Sequence, residues 1–416
     1  MADEVSGPGA AHNAGPTLPT MFEILKQPIS LKQPISLRRP SSSPGSASPT
    51  PGRGSRRGVR GGRRTHSLVG LEIEPGQLIA VQSRLGSHVI VERAVGRPIP
   101  ANLVRDGEVS DVEGLSEALA ELFAGSGLDR RVRIGIANQR IVMRQIELPA
   151  ITDPKELDSA VRFQAQDEIP MPIESVVLDY HSLGLVETDA GPRMQVLLVA
   201  ARRDMVERML VAARGAGLRP EGVDLAAFGM IRALRPLDGV EGEQVLYLSI
   251  GGLTNLAIAS GATCQFTRVI TTGIDQIVGE VAATLGVPMP QARRLVGMVA
   301  GSSTGAPSPP PARANVSSDQ LDTAATVLGD GVRRIAAEVR NSLDFHRASR
   351  GGEPVTRAVL TGPALDVTGF DTALARELDL PLTRGVVELA SPGAAGHVPM
   401  SRLAVAAGLS LAEGPR

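Results

Sequence analysis

The chain has 416 residues, enough for two or more domains or for one large two-lobed fold. Its 44 acidic and 43 basic side chains nearly cancel, so bulk charge points to no polyanionic partner. Trp is missing and Tyr occurs twice, which leaves the core to Val, Leu, Ile and Ala. The one cysteine, Cys264, excludes an internal disulfide and suits a reducing compartment. No apolar run reaches the ~20 residues that span a bilayer, and the polar, Gly/Pro-rich start does not read as a signal peptide. The expectation is a cytoplasmic protein whose membrane association is indirect or runs through its tail.

Residues 1–66 read as a disordered tail in which Pro, Gly and Ser dominate and hydrophobic periodicity is missing. Leu25–Ser30 is repeated directly as Leu31–Ser36, which reads as low complexity or as a short linear motif. Arg38, Arg39, Arg53, Arg56, Arg57, Arg60, Arg63 and Arg64 have no acid among them. Such a segment can attract anionic lipid or nucleic acid by charge, while the lack of interleaved aromatics leaves base recognition unsupported. Met21 is an alternative start.

Order is expected from Ser67. Leu68–Val81 reads as strand, turn and strand, His88–Glu92 continues the sheet, and Leu115–Ala124 is helical. Arg131–Ile136 and Ile141–Leu148 alternate as strands. Asp153-Pro154 caps and opens a helix that ends at the acidic pair Asp167-Glu168. Val176–Leu183 and Met194–Ala200 follow as strands, so residues 131–202 read as a separate strand–strand–helix–strand–strand module. Asp204–Arg214 is a helix, a short strand spans Gly222–Leu225, and Ala226–Leu234 is helical.

The second half opens on Val245–Ala259, an apolar strand broken at Gly251-Gly252 and a returning strand that begins with Leu253, Thr254 and Asn255. Such a turn can aim backbone N–H groups at a phosphate, although an ordinary hairpin with polar turn residues would read the same. Thr267–Ile270 is a further strand, and Gly273 begins a helix through Leu285. Residues 300–318 read as a Pro/Ser/Ala linker, Leu321–His346 as one long helix, and Val355–Thr361 as a strand entering Gly362-Pro363. Helices over Asp371–Leu378 and Leu403–Leu409 close the chain. Each half thus opens with strand–turn–strand, which fits two lobes and a cleft where two hairpins meet.

Several runs together resemble the PilM family, actin-like cytoplasmic proteins of type IV pilus assembly. They are Arg162–Pro172, which resembles the family's helix followed by an Ile-Pro-Phe-Pro-type segment, Val196–Arg202, Glu338–Phe345 and Ser401–Leu409. The resemblance runs from about Leu68 to Leu411. It implies an α/β, two-lobed actin-like fold of the duplicated ribonuclease-H-like kind, with a small α+β module inserted in the first lobe. The first lobe would comprise 67–130 and 203–240, the module 131–202, and the second lobe 241–411. It also implies that a cytoplasmic peptide of an inner-membrane PilN-like protein docks between module and first lobe. Phe163, Ile169, Pro170, Met171 and Pro172 would then shape or border that groove, and the pilus assembly ATPase and further copies of the chain, in a homo-oligomer, would be additional partners.

The resemblance implies nucleotide contacts at Pro75, Gly76, Gly251, Gly252, Thr254, Asn255, Gly362 and Pro363. The chain departs from the family pattern there. Glu74 and Pro75 stand in the first hairpin where a Gly and a hydroxyl residue belong, Ile79 replaces a Lys, and Ser249 replaces a metal-orienting Asp. Hydrolysis needs a carboxylate-oriented Mg²⁺ and a placed water. The expectation is therefore a scaffold rather than an enzyme, with ATP and Mg²⁺ bound weakly or not at all. The alternatives are an FtsA-like division protein, or a kinase or ATPase of the same fold. A C-terminal amphipathic helix is expected of the first of these, and none is legible here. The six histidines show no metal-ligand spacing, and no phosphate-binding P-loop or nucleophile elbow occurs.

Overall fold

Alternating and fully apolar segments form four sheets in the computed structural model, which describes residues 68–189, 191–236, 242–302, 316–350 and 354–411. The tail with its repeat and Arg cluster lies outside the described residues. In the first half, β1 (Val69–Glu74), β2 (Gln77–Leu85) and β3 (Val89–Pro98) form an antiparallel meander. The short β4 (Val104–Arg105) and β5 (Glu108–Val109) pair with each other and lead into α1 (Val112–Phe123). β6 (Arg131–Ile136) runs parallel to β1.

β7 (Val142–Pro149), α2 (Pro154–Glu168), β8 (Val176–Thr188) and β9 (Gly191–Arg202) form the inserted module, a three-stranded sheet in the order β7-β9-β8. Asp153 caps α2 by accepting from the N–H groups of Lys155 and Glu156, with Pro154 in the first turn where no N–H is required. The chain returns through α3 (Arg203–Gly215), β10 (Arg219–Leu225), parallel to β6, and α4 (Ala226–Leu234).

The second half repeats the plan. β11 (Gln244–Ile250), β12 (Thr254–Ser260) and β13 (Thr263–Ile270) form a second meander. Helices α5 (Ile274–Leu285), α6 (Met289–Ser302) and α7 (Ser318–Arg350) follow, and β14 (Val355–Thr361) then runs parallel to β11. After α8 (Phe370–Leu378), β15 (Leu382–Arg384) runs parallel to β14. The order β3-β2-β1-β6-β10 in one sheet thus matches β13-β12-β11-β14-β15 in the other, strand for strand and direction for direction.

Both faces of β1, β11 and β12 are covered, so they read as nearly continuous apolar runs. On β11, Val245 and Tyr247 join the core shared with the first half, while Leu246, Leu248 and Ile250 join the core under α5, α6 and α7. Between the two sheets lie α4 and α9 (Ala404–Ser410), α4 packing on β11 and β12 and α9 on β1 and β2. Backbone approach explains the small residues of α9. A Cβ on Gly408 would sit 1.8 Å from the carbonyl oxygen of Gly229, and one on Gly70 would sit 1.9 Å from that of Ala406. Larger side chains would force the two helices and the sheet apart.

Three sequence expectations are corrected. Arg131–Ile136 does not belong to the inserted module, because β6 is the hydrogen-bonded neighbour of β1 and β10 in the large sheet. The module begins at β7. The second lobe does not run to Leu411, because β16 (Glu388–Leu389) pairs with β3 and α9 packs on β1, returning the chain to the first lobe. The linker expected over 300–318 is shorter, since α6 extends to Ser302 and α7 starts at Ser318, while residues 303–315 lie outside the described residues.

Candidate functional site

The two meanders place their first turns against each other. In the first, Pro75-Gly76 links Glu74 to Gln77, and Gly76 takes a φ of 85° that a side chain would resist. In the second, the Gly251 N–H donates to the Leu253 carbonyl at 2.9 Å. Here glycine is needed for space rather than for φ. A Cβ on Gly251 would lie 2.6 Å from the Glu74 carboxylate and 3.3 Å from Pro363, and one on Gly252 would lie 3.0 Å from the Pro75 carbonyl.

Glu74 occupies the gap between the turns, with its carboxyl group against Gly251 of the second turn. Crowding by protein, and then the negative charge of Asp275 near the start of α5, push the Glu74 carboxyl up to about 7, against the opposing effects of Arg402 and the Gly252 N–H. Glu72, two residues back on β1, is held well above its usual range by burial and then by Glu74, with Arg402 again opposing. Arg402 reaches the Gln77 side chain and forks onto Asp366 at 2.9 and 3.0 Å. Asp275 is itself paired with Arg293 at 2.8 Å.

The third segment, Thr361-Gly362-Pro363, enters a short 3₁₀ turn, Pro363–Asp366, with Gly362 at φ 91°. The Gly362 N–H and the Thr361 hydroxyl both donate to the Ser401 carbonyl, at 2.7 and 3.0 Å. Of the residues singled out in the sequence, Pro75, Gly251, Gly252 and Pro363 therefore converge around Glu74. Gly76 faces open space, with nothing within 4 Å of a Cβ placed there. Thr254 and Asn255 are buried in the second sheet behind the turn; Thr254 donates its hydroxyl to the Thr272 carbonyl at 2.7 Å. Asn255 stands across from Ser249 with its Nδ2 lacking a protein partner. Among the described residues no three His, Cys, Asp or Glu side chains are arranged to hold a metal ion.

Asp275, Asp366, Ser401 and Arg402 were missed as site residues. Asp275 carries a faint signal, as an acid just inside a Gly-started helix. Arg402 carries none, because only the return of the chain to the first lobe brings it within reach of Gln77.

The carboxyl of Glu74 gives a pH dependence. The unfolded chain releases that proton near 4.5 and the folded chain near 7. The folded state therefore binds more protons in this window, and the contribution to stability, full below 4.5, is lost as pH rises through 7. Glu74 is half-buried, so the loss is on the order of 1 kcal/mol. Thermal melts from pH 4.5 to 8 should show wild type losing more stability than Glu74→Gln. Equal slopes would mean that the Glu74 carboxyl titrates alike in the folded and unfolded chain.

The residues assigned to a partner groove lie elsewhere. The module sheet has two faces. Ile146, Leu148, Val196, Leu198 and Ala200 pack under α2 in the module's own core, together with Ile169. Leu197, Val199, Ala201 and Val177 face the first lobe. Phe163, on α2, is 71% exposed, Pro170 and Pro172 are exposed, Met171 is half-buried against the module core, and Ile169 is 4% exposed. None of the five lines the junction between module and first lobe. That junction holds a cavity of about 30 Å³ lined by Val177, Val199 and Ala201 from the module and Ile136, Val223 and Phe228 from the lobe, with Asp179 and Asp224 among its other lining residues.

No helix among the described residues is long and apolar enough to cross a membrane. A family described as type IV pilus assembly protein PilM matches residues 73–295. A solved PilM–PilN type IV pilus biogenesis complex contains a chain 25% identical, with a TM-score of 0.67 over 83% of this chain and 98% of that one. Weaker likenesses include the ethanolamine utilization protein EutJ of Carboxydothermus hydrogenoformans (14% identity, TM-score 0.47, 82% and 88% covered). MreB5 of Spiroplasma citri is similar at 13% identity and a TM-score of 0.47, with 83% and 95% covered. The fold is the two-lobed actin-like one, and the chain belongs to the PilM family of type IV pilus assembly proteins.

Proposed function

We propose that this protein is a non-catalytic scaffold of the pilus assembly machine that has given up ATP turnover and docks the cytoplasmic peptide of an inner-membrane PilN-like protein. The observation that carries this reading is the Glu74 carboxyl group wedged between the facing turns, against Gly251. In an actin-like ATPase the facing turns offer their N–H groups to phosphate oxygens. Here the Glu74 side chain fills that space, and its ionised form would also repel the ligand. Ser249 brings no charge to orient a metal, so the residues present do not fit a magnesium triphosphate. The protein would be cytoplasmic and would reach the inner membrane through its partner.

The docking half of the reading is supported by the likeness to a PilM–PilN complex and by the apolar junction between module and first lobe. A cavity of about 30 Å³ accepts the tip of one apolar side chain, so a peptide would seat a single anchor there and lie along the rim. Fluorescence anisotropy with the N-terminal peptide of a PilN-like protein tests it. Val177→Asp, which puts a charge at the junction, should weaken binding at least ~30-fold. Phe163→Ala, on the far side of α2, should bind like wild type. The opposite pattern would move the site to the outer face of α2.

A further inference from the structure

We propose that the Ser401-Arg402 step clasps the two lobes at the hairpin end of the cleft, so that protein groups alone set the angle between them. The clasp goes beyond the scaffold reading and stands whether or not a nucleotide binds.

Away from the hairpins the lobes are joined by apolar packing. Val245, Tyr247, Ala257 and Val359 of the second sheet share one core with Phe228 and Ile231 of α4. Such packing is non-directional, and two sheets resting on a common layer can pivot about it. At the hairpin end the contacts have direction. Ser401 and Arg402 stand just before α9, in the segment that returns to the first lobe. Asp366 ends the 3₁₀ turn that follows β14 in the second lobe. Both of its carboxylate oxygens are engaged. Oδ1 accepts the Ser401 hydroxyl at 2.5 Å, and Oδ2 accepts Nε and Nη2 of Arg402 at 3.0 and 2.9 Å. The remaining nitrogen of the guanidinium, Nη1, donates to the Gln77 side chain on β2 of the first lobe. One planar, charged group therefore spans from lobe to lobe.

The backbone adds a second tie. The Ser401 carbonyl accepts the Gly362 N–H and the Thr361 hydroxyl, both from the end of β14. Ser401 is 8% exposed and the Arg402 side chain 18%, so water competes little for these bonds. Charge-assisted bonds to a rigid fork hold an orientation that apolar contact leaves free. An exposed pair inside one lobe, such as Arg334 with Glu280, has no such leverage and contributes little.

Double electron–electron resonance on the full chain tests the clasp, with spin labels on Glu117→Cys of α1 and Asp322→Cys of α7. Both positions are exposed, and the native Cys264 is buried and stays unlabelled. Dilution with unlabelled chain restricts the reading to distances within one copy. Without nucleotide, the labelled chain should give one narrow distance distribution. Arg402→Met keeps the apolar stem, removes the fork, and should widen the distribution about twofold or more, as released hinge motion does. Asp366→Ala, made on the other lobe, should widen it equally, and the two together should add nothing further. Arg334→Met should leave it narrow. A broad distribution in the labelled parent overturns the proposal, as does a narrow one in either clasp variant, additive widening in the pair, or equal widening in Arg334→Met. If Arg402→Met does not fold, Asp366→Ala decides, because its partly exposed side chain can be removed without opening the core. A widened distribution there supports the clasp and a narrow one overturns it.

Discussion

Glu74→Gly combined with Ser249→Asp is expected to raise the affinity for Mg-ATP by about tenfold to a hundredfold, which corresponds to ~1.4 to 3 kcal/mol. Three gains are combined. The space beside Gly251 and Gly252 is opened to a phosphate oxygen, which an N–H of the turn can bond for about 1.5–3 kcal/mol. The repulsion between a carboxylate and the incoming phosphate is removed. A carboxylate is restored where a magnesium-bound water would need an acceptor. Against these stands the cost of placing a charge at Ser249, which is buried beside Asn255 and Thr361. Asn255 offsets part of it, because its unpartnered Nδ2 lies across the ladder from position 249 and can donate to the new carboxylate. Titration calorimetry of the double variant against wild type reads the outcome. An unchanged affinity would mean that Glu74 is not what closes the pocket.

Ile169→Asp should cost about 3–5 kcal/mol and unfold the inserted module, whereas Phe163→Ala should stay within ~0.5 kcal/mol of wild type. Ile169 follows α2 directly and buries its side chain among Val161, Ala165, Val176 and Val196, where an aspartate finds no charged partner. Phe163 projects from the same helix into solvent. Thermal denaturation, together with proteolysis within residues 142–202, separates the two. A well-folded Ile169→Asp protein would mean that α2 does not seal the module core. The contrast also rules out Ile169→Asp as a probe of docking, since lost binding would report a lost fold.

Much of the architecture was legible because covered strands announce themselves. Leu246, Leu248, Ile250, Leu256 and Ile258 are apolar on consecutive alternate positions, and two glycines mark the turn. Asp153-Pro154 fixed the start of α2 by capping chemistry, and Thr361-Gly362-Pro363 marked the end of β14. Helix α6 was not legible. Pro288 and Pro290 punctuate its beginning as they would a loop, yet Pro290 sits in the first turn, where no N–H is needed.

The placement of β6 could not be read either, since an alternating strand says which face is buried and not which neighbour it pairs with. That ambiguity put Arg131–Ile136 in the wrong sheet. Phe163 and Pro170–Pro172, assigned to a groove by the resemblance, stand on the module's outer side, away from the cavity at the junction. The face of the module sheet turned to the first lobe, with Val177, Val199 and Ala201, carries the same residue types as the face under α2. At the cleft, Glu74 and Ser249 stood out as chemically wrong for a phosphate cradle. The surroundings of Glu74 come from Gly251, 177 positions away, and from Asp275 and Arg402 beyond it.

If the Glu74 side chain fills the cleft of this PilM-family protein, no triphosphate seats there. Titration calorimetry of Mg-ATP into the full wild-type chain at neutral pH tests it most directly. No saturable binding tighter than ~1 mM, equivalent to about −4 kcal/mol, is expected. A single site of micromolar affinity would contradict it.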